Sequence, residues 1–203
     1  MKIVPTTEKD LILCTKFGFS IFYPSADSFL NLLPGKNYPY ELPARNVKYA
    51  YDDGKFIWIT TYGAGVQKFD KVKHTFTGIT TKEGLPNDAV YAVIPDDNGK
   101  MWISTNNGLA SYNIQSGAVQ TFTTQDGLPE NEFNGYSAYR SNSGKIFYST
   151  LNGIVSINRR IDVSNPYSPN IVITHFEANY KKRTPSLIVI VHRLLNFRMV
   201  LTQ

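Results

Sequence analysis

Apolar and polar positions in this chain alternate in short runs broken by turn residues. From Ala89, AVYAVIPDD alternates apolar with small residues and stops at DDNGK, a hairpin turn of Asp, Asn and Gly. MWIST follows, then the turn NNG, then LASYN, QSGA and VQTFT, before TQDGLPEN carries the chain onward. This pattern predicts four strands of about five residues each. No stretch combines a helical period with capping residues.

The pattern repeats. GKFIWITTYGAGVQKFD begins at Gly54, GKMWISTNNGLASYN at Gly99 and GKIFYSTLNGIVSIN at Gly144, 45 residues apart each time, and KDLILCTKFGFSIFYP from Lys9 is a weaker copy. EGLPND at Glu83–Asp88 is echoed by DGLPEN at Asp126–Asn131, 43 residues on. Four antiparallel strands per unit at this period describe a β-propeller blade, with each GLP turn connecting the outer strand of one blade to the inner strand of the next. The predicted fold is all-β. It has four four-stranded antiparallel blades in 1–161 (1–39, 40–83, 84–126 and 127–161), an incomplete propeller with a shortened first inner strand. The fourth unit does not complete its outer strand in the usual way.

Composition supports a sheet protein. Of 203 residues, 42% are hydrophobic and 13% aromatic, and Tyr and Phe favour strands. The net charge of +5 suggests a polyanion partner until it is mapped: the five basic residues after Glu177 account for the whole excess, so the body is neutral and nucleic acid is not expected as a partner. No apolar run reaches the length of a bilayer span or of a signal peptide, and Cys14, in LILCT, reads as a small buried thiol.

GLPND, DDNGKMWISTNNGLASYN and DGLPENEFNG resemble the regulator-propeller repeats of bacterial hybrid two-component sensors. DGLPENEFN followed by GKIFYSTLNGIVSIN is similar to the last blade of such a sensor, and NPYSPNIVITHFEANYK resembles the opening strand of the three-tyrosine β-sandwich that follows it. The similarity runs from about Asp10 to Lys181. It implies a periplasmic sensing region that recognises an oligosaccharide. In the parent sensor the partners would be the remaining blades, the sandwich and a second copy of the chain, ahead of a membrane helix and a histidine kinase. Here 162–181 would supply a linker and one sandwich strand. The basic, apolar 182–203 departs from the family, and its expected origin is a change of reading frame near Lys182, with a lipid-touching amphipathic tail as the rival.

Candidate chemistry is sparse. His74, His175 and His192 are scattered without ligand-spaced partners, so no metal, cofactor or catalytic residue is assigned. Asp52–Asp53 and Asp96–Asp97 could suggest a glycosidase pair, but they fall on hairpin turns that Asp itself favours. Trp58, Trp102 and Phe147 recur at one position per unit and are expected in the core. The turn between the second and third strands should share a face with the blade connectors. That face collects Tyr62, Asn106, Asn107 and Asn152 from the turns, and Asn87, Asp88, Asn131, Glu132 and Asn134 from the connectors. Amides beside tyrosine suit sugar hydroxyls. Two rivals stay open: a propeller enzyme such as a lyase or glycan-cleaving protein, and a protein-interaction propeller without a small ligand.

Overall fold

The computed structural model describes residues 1–35 and 41–157 in full, and the backbone of 176–178, 181–183 and 198–200. Among these residues the strands form four four-stranded antiparallel sheets and one two-stranded hairpin. The first sheet is β1 (Lys2–Pro5), β2 (Leu11–Thr15), β3 (Gly18–Tyr23) and β4 (Ser28–Leu32). The second is β5 (Val47–Asp52), β6 (Phe56–Thr61), β7 (Val66–Asp70) and β8 (Thr75–Ile79). The third is β9 (Val90–Pro95), β10 (Lys100–Thr105), β11 (Gly108–Asn113) and β12 (Val119–Phe122). The fourth is β13 (Phe133–Arg140), β14 (Ile146–Thr150), β15 (Gly153–Ile157) and a later strand, β18 (Arg198–Val200). The four sheets are propeller blades, each running in simple order from inner to outer strand.

The outer strand of the fourth blade therefore comes from the stretch read as an atypical tail. Ile154 pairs with Val200 and Ser156 with Arg198. An open strand edge offers a row of unpaired donors and acceptors, which any extended segment can satisfy. The chain divides into two compact units, Met1–Arg159 with Phe197–Gln203, and Arg160–Asn196. In the second unit, β16 (Phe176–Ala178) pairs with β17 (Lys181–Arg183). Apart from these backbone segments, the expected sandwich strand in 162–181 and the 182–203 tail lie outside the described residues.

Blades stack face to face, and this explains the burial pattern. Ile12, Phe19, Leu32, Ala50, Ile57 and Phe69 form a core shared by the first two blades. Trp58, Val66, Val90, Met101 and Ile103 form another, shared by the second and third. Strands β6 and β10, covered on both faces, are buried at five consecutive positions. Strands β2 and β14, covered on one face, are buried at alternate positions. The fully buried Tyr148 donates its hydroxyl proton to the Trp102 carbonyl at 2.8 Å, tying the fourth blade to the third. Burial raises the Tyr148 pKa well above the usual phenol range, so it stays a donor.

Each second strand ends in a threonine whose hydroxyl closes the turn to the third. Thr15, Thr61, Thr105 and Thr150 donate to the carbonyls of Gly18, Gly65, Gly108 and Gly153 at 2.9, 2.9, 2.7 and 3.2 Å. Glycine is required at Gly108, which has φ +114° and where a Cβ would lie 2.6 Å from the Phe122 carbonyl oxygen.

Candidate functional site

The two GLP connectors share one construction. Thr80 accepts a hydrogen bond from Lys82 N at 3.2 Å and its own N–H donates to Glu83 Oε2 at 2.7 Å, a capping box around a single 3-10 turn. Thr123, Gln125 and Asp126 repeat it at 3.3 and 3.0 Å. Gly84 and Gly127 then turn the chain at φ +104° and +98°, and Leu85 and Leu128 plug into the core. Asp88 Oδ1 accepts from Thr81 N at 2.7 Å, and Asn131 Oδ1 from Thr124 N at 2.8 Å. These two sequence-selected residues, with Asn87 accepting from Ala89 N at 2.8 Å, use side-chain oxygens to brace their connectors.

Backbone hydrogen bonds join these connectors to the turns between second and third strands. Gly63 N and Gly65 N donate to the Asp88 carbonyl at 3.0 and 2.9 Å, Asn106 N to Ala89 O at 3.0 Å, and Gly108 N to Asn131 O at 2.7 Å. Tyr62, Asn87, Asp88, Asn106, Asn107 and Asn131 therefore lie together along the junction of the second, third and fourth blades. Tyr62 is half exposed. Asn107 N donates to Thr105 Oγ1 at 3.1 Å. Asn134 donates through Nδ2 to Ser149 Oγ at 3.2 Å, and Glu132 and Asn152 are exposed.

Three further residues belong to this face, and they sit at irregularities in the inner strands. Between Val47↔Thr61 and Tyr49↔Thr60, Lys48 is one residue too many. Between Val90↔Thr105 and Ala92↔Ser104, Tyr91 is the extra residue. Between Phe133↔Thr150 and Ala138↔Tyr148 the four residues 134–137, which include Tyr136 at φ +64°, face Ser149 alone. All three bulges fall on the same rung of the ladder, and a bulge re-aims a side chain. The Lys48 ammonium lies 5.3 Å from the Tyr62 ring centroid and 5.9 Å from that of Tyr136. The Tyr62 and Tyr91 rings are 6.3 Å apart, and the Tyr91 hydroxyl donates to Asn106 Oδ1 at 2.7 Å. Burial, then the charge of Glu132 and the neighbouring Tyr62, raise the Tyr91 pKa. A bulge is defined only against the partner strand, so sequence pattern missed these three.

The opposite, hairpin face is chemically committed. Asp52, whose side chain is fully buried, accepts from Thr7 N at 3.0 Å, Thr7 Oγ1 at 2.9 Å and Gly54 N at 3.0 Å. The Lys71 ammonium lies 3.3 Å from its carboxylate and 3.0 Å from Glu8. Burial pushes the Asp52 pKa up, but the Thr7 and Gly54 hydrogen bonds with Lys71 outweigh it and hold the carboxyl below its usual range. Asp53 and Asp96 each accept from hairpin N–H groups and from an indole, Trp58 Nε1 at 2.8 Å and Trp102 Nε1 at 3.1 Å. Asp97 pairs with Arg140 of the next blade. These carboxylates serve turns, indoles and blade-to-blade links.

Residues 84–107, from the GLP connector that leads into the third blade through β10, match the family model described as two component regulator propeller. A histidine kinase of Formosa agariphila, Histidine kinase P4, is 29% identical over 93 residues, which are 46% of this chain and 7% of that protein. Among solved structures, the extracellular domain of the protein described as hybrid two component system BT3049 from B. thetaiotaomicron superposes with a TM-score of 0.64 at 17% identity, covering 77% of this chain and 23% of that one. Streptogramin B lyase superposes with a TM-score of 0.55 at 11% identity, covering 77% of this chain and 50% of that one. The chain thus spans less than a quarter of the extracellular domain it matches, and among the described residues no helix is long and apolar enough to cross a membrane. Residues 84–107 thus match a two component regulator propeller repeat, and they are set in four blades that share the propeller fold of the extracellular domains of hybrid two-component systems.

Proposed function

We propose that these blades belong to the periplasmic sensing region of a hybrid two-component system, bind an oligosaccharide or similar ligand on the connector face, and carry out no chemistry themselves. The observation that carries the reading is the contrast between the two faces. The hairpin-face carboxylates are engaged in hydrogen bonds and ion pairs, whereas the connector face leaves half-exposed rings and amides from three adjacent blades open to solvent. Tyr62, Asn106, Asn107, Glu132, Asn134 and Asn152 are the contact residues proposed. Asn87, Asp88 and Asn131 shape the connectors that present them, and their remaining polar atoms complete the surface. A ligand bridging blades would alter how they pack on the region that follows, and so bias a dimeric kinase across the membrane.

The enzyme reading draws on the fold shared with streptogramin B lyase. It would need an acid and base clustered on one face, and His74, the one histidine among the fully described residues, lies in the β7–β8 hairpin away from the connectors. Titration calorimetry against plant and algal oligosaccharides, with the products then run on a chromatographic column, separates the readings. Binding without cleavage supports a sensor, shortened glycans would establish an enzyme, and no binding to any glycan would refute the ligand assignment.

A further inference from the structure

We propose that the connector-face ligand is an acidic saccharide whose negative group sits on Lys48, between the rings of Tyr62 and Tyr136. This rests on the saccharide reading above and specifies its chemical class. Bulges at one common rung of three neighbouring inner strands turn Lys48, Tyr91 and Tyr136 toward the same end of the blades. Tyr136 holds a left-handed backbone conformation that a bulky aromatic residue rarely adopts, the kind of local strain that collects at binding sites.

The charge arrangement selects the ligand. Lys48 holds its ammonium within 6 Å of two ring centroids, so the cation is positioned before anything binds. Among the described residues it has no carboxylate within ion-pair distance, unlike Lys71, which has two. A fixed cation without a counter-ion, flanked by rings that are 50% and 45% exposed, fits a flat sugar ring bearing a carboxylate or sulfate. Asn106 is held in place beside them: its Oδ1 accepts the Tyr91 hydroxyl proton at 2.7 Å, which fixes the plane of an amide that can pair with a sugar hydroxyl.

The test uses the full chain on an array of galacturonate, alginate, chondroitin and heparin oligosaccharides beside neutral xylan, mannan and starch fragments. Calorimetry of the tightest binder then compares wild type with Lys48→Gln and with Tyr136→Asn, which keeps the left-handed backbone accessible. The expected result is an acidic binder weakened at least about tenfold by either variant, with melting temperatures unchanged. Uronate and sulfate ligands are told apart by methyl esterification, which removes a uronate's charge alone and should match the loss caused by Lys48→Gln. Binding of neutral glycans that is insensitive to Lys48→Gln would overturn the acidic assignment and leave the saccharide reading standing. Failure of every glycan to bind would overturn both.

Discussion

The two interior blades and the two terminal blades are built from the same sequence pattern but end in different environments. Trp102 and Phe147 occupy the same rung of the second strand in consecutive blades, yet Trp102 is buried and Phe147 only half-buried. The first blade shows the same excess on its outer side: the tilted rings of Phe22 and Phe29 have centroids 4.6 Å apart, and Phe29 is 58% exposed. On the fourth blade Tyr139 and Phe147 stack at 6.4 Å, with Tyr139 63% exposed. Among the described residues, the terminal blades therefore carry apolar residues on both faces while only one is covered, which is the pattern of strands made to be sandwiched between neighbours. In the proposed sensor those neighbours are its further blades.

The sharpest test is at the shared rung. Trp102→Ala should destabilise by about 4 kcal/mol, because it empties a packed site and leaves Asp96 Oδ2 without its indole donor, whereas Phe147→Ala should cost about 1 kcal/mol. Equal losses in chemical denaturation would dissolve the distinction between the blades. Next is the link between the first and second blades. Asp52→Ala should cost about 2–3 kcal/mol, since Thr7 and Gly54 lose their acceptor and Lys71 keeps only Glu8. Because folding lowers the Asp52 pKa, its stabilisation is present above the unfolded carboxyl pKa and is lost as pH falls through the lower folded value. The difference in melting temperature between wild type and Asp52→Ala should shrink on acidification through that range, and a pH-independent difference would count against the network.

A smaller effect on folding but a visible one on association is expected from Phe29→Lys with Tyr139→Lys. Sedimentation velocity of the wild-type chain at low micromolar concentration should show self-association through the uncovered faces, and the double variant should move it toward monomer while altering stability by under about 0.5 kcal/mol. A wild-type chain that is monomeric throughout would show that the faces do not attract one another. The smallest effect belongs to the connectors. Asp88→Asn and Asn131→Asp should each change stability by less than about 0.5 kcal/mol, because each new side chain still offers an oxygen to the same threonine N–H.

Much of this architecture was readable in the amino acids. Alternation marked the strands, and the recurrence of Gly-Lys and GLP marked the blades. The T-x-x-(E/D)-G-L-P connector even carries the residues of a capping box, at Thr80 and Glu83 and again at Thr123 and Asp126, here closing a 3-10 turn instead of opening a helix. The candidate face was readable in part. Its loops could be placed from blade topology, but the amide-rich positions it drew attention to include three whose oxygens brace the chain. The Lys48, Tyr91 and Tyr136 bulges were not readable, because register shifts exist only relative to a partner strand. The pairing of Trp58 with Asp53 and of Trp102 with Asp96 was hidden for a related reason: each joins a hairpin to the strand leaving it through side-chain geometry that residue spacing does not specify.

Periodicity and turn chemistry are local properties, written within a few residues of where they act, so the four-stranded blade and its connector follow from the chain alone. Which carboxylates are consumed, which aromatic faces stay open, where the inner strands bulge and that Arg198–Val200 edges the fourth blade are decided by contacts between segments far apart in the chain. Only the assembled blades bring those partners within reach, and there the need to pair every buried polar group and strand edge selects one arrangement.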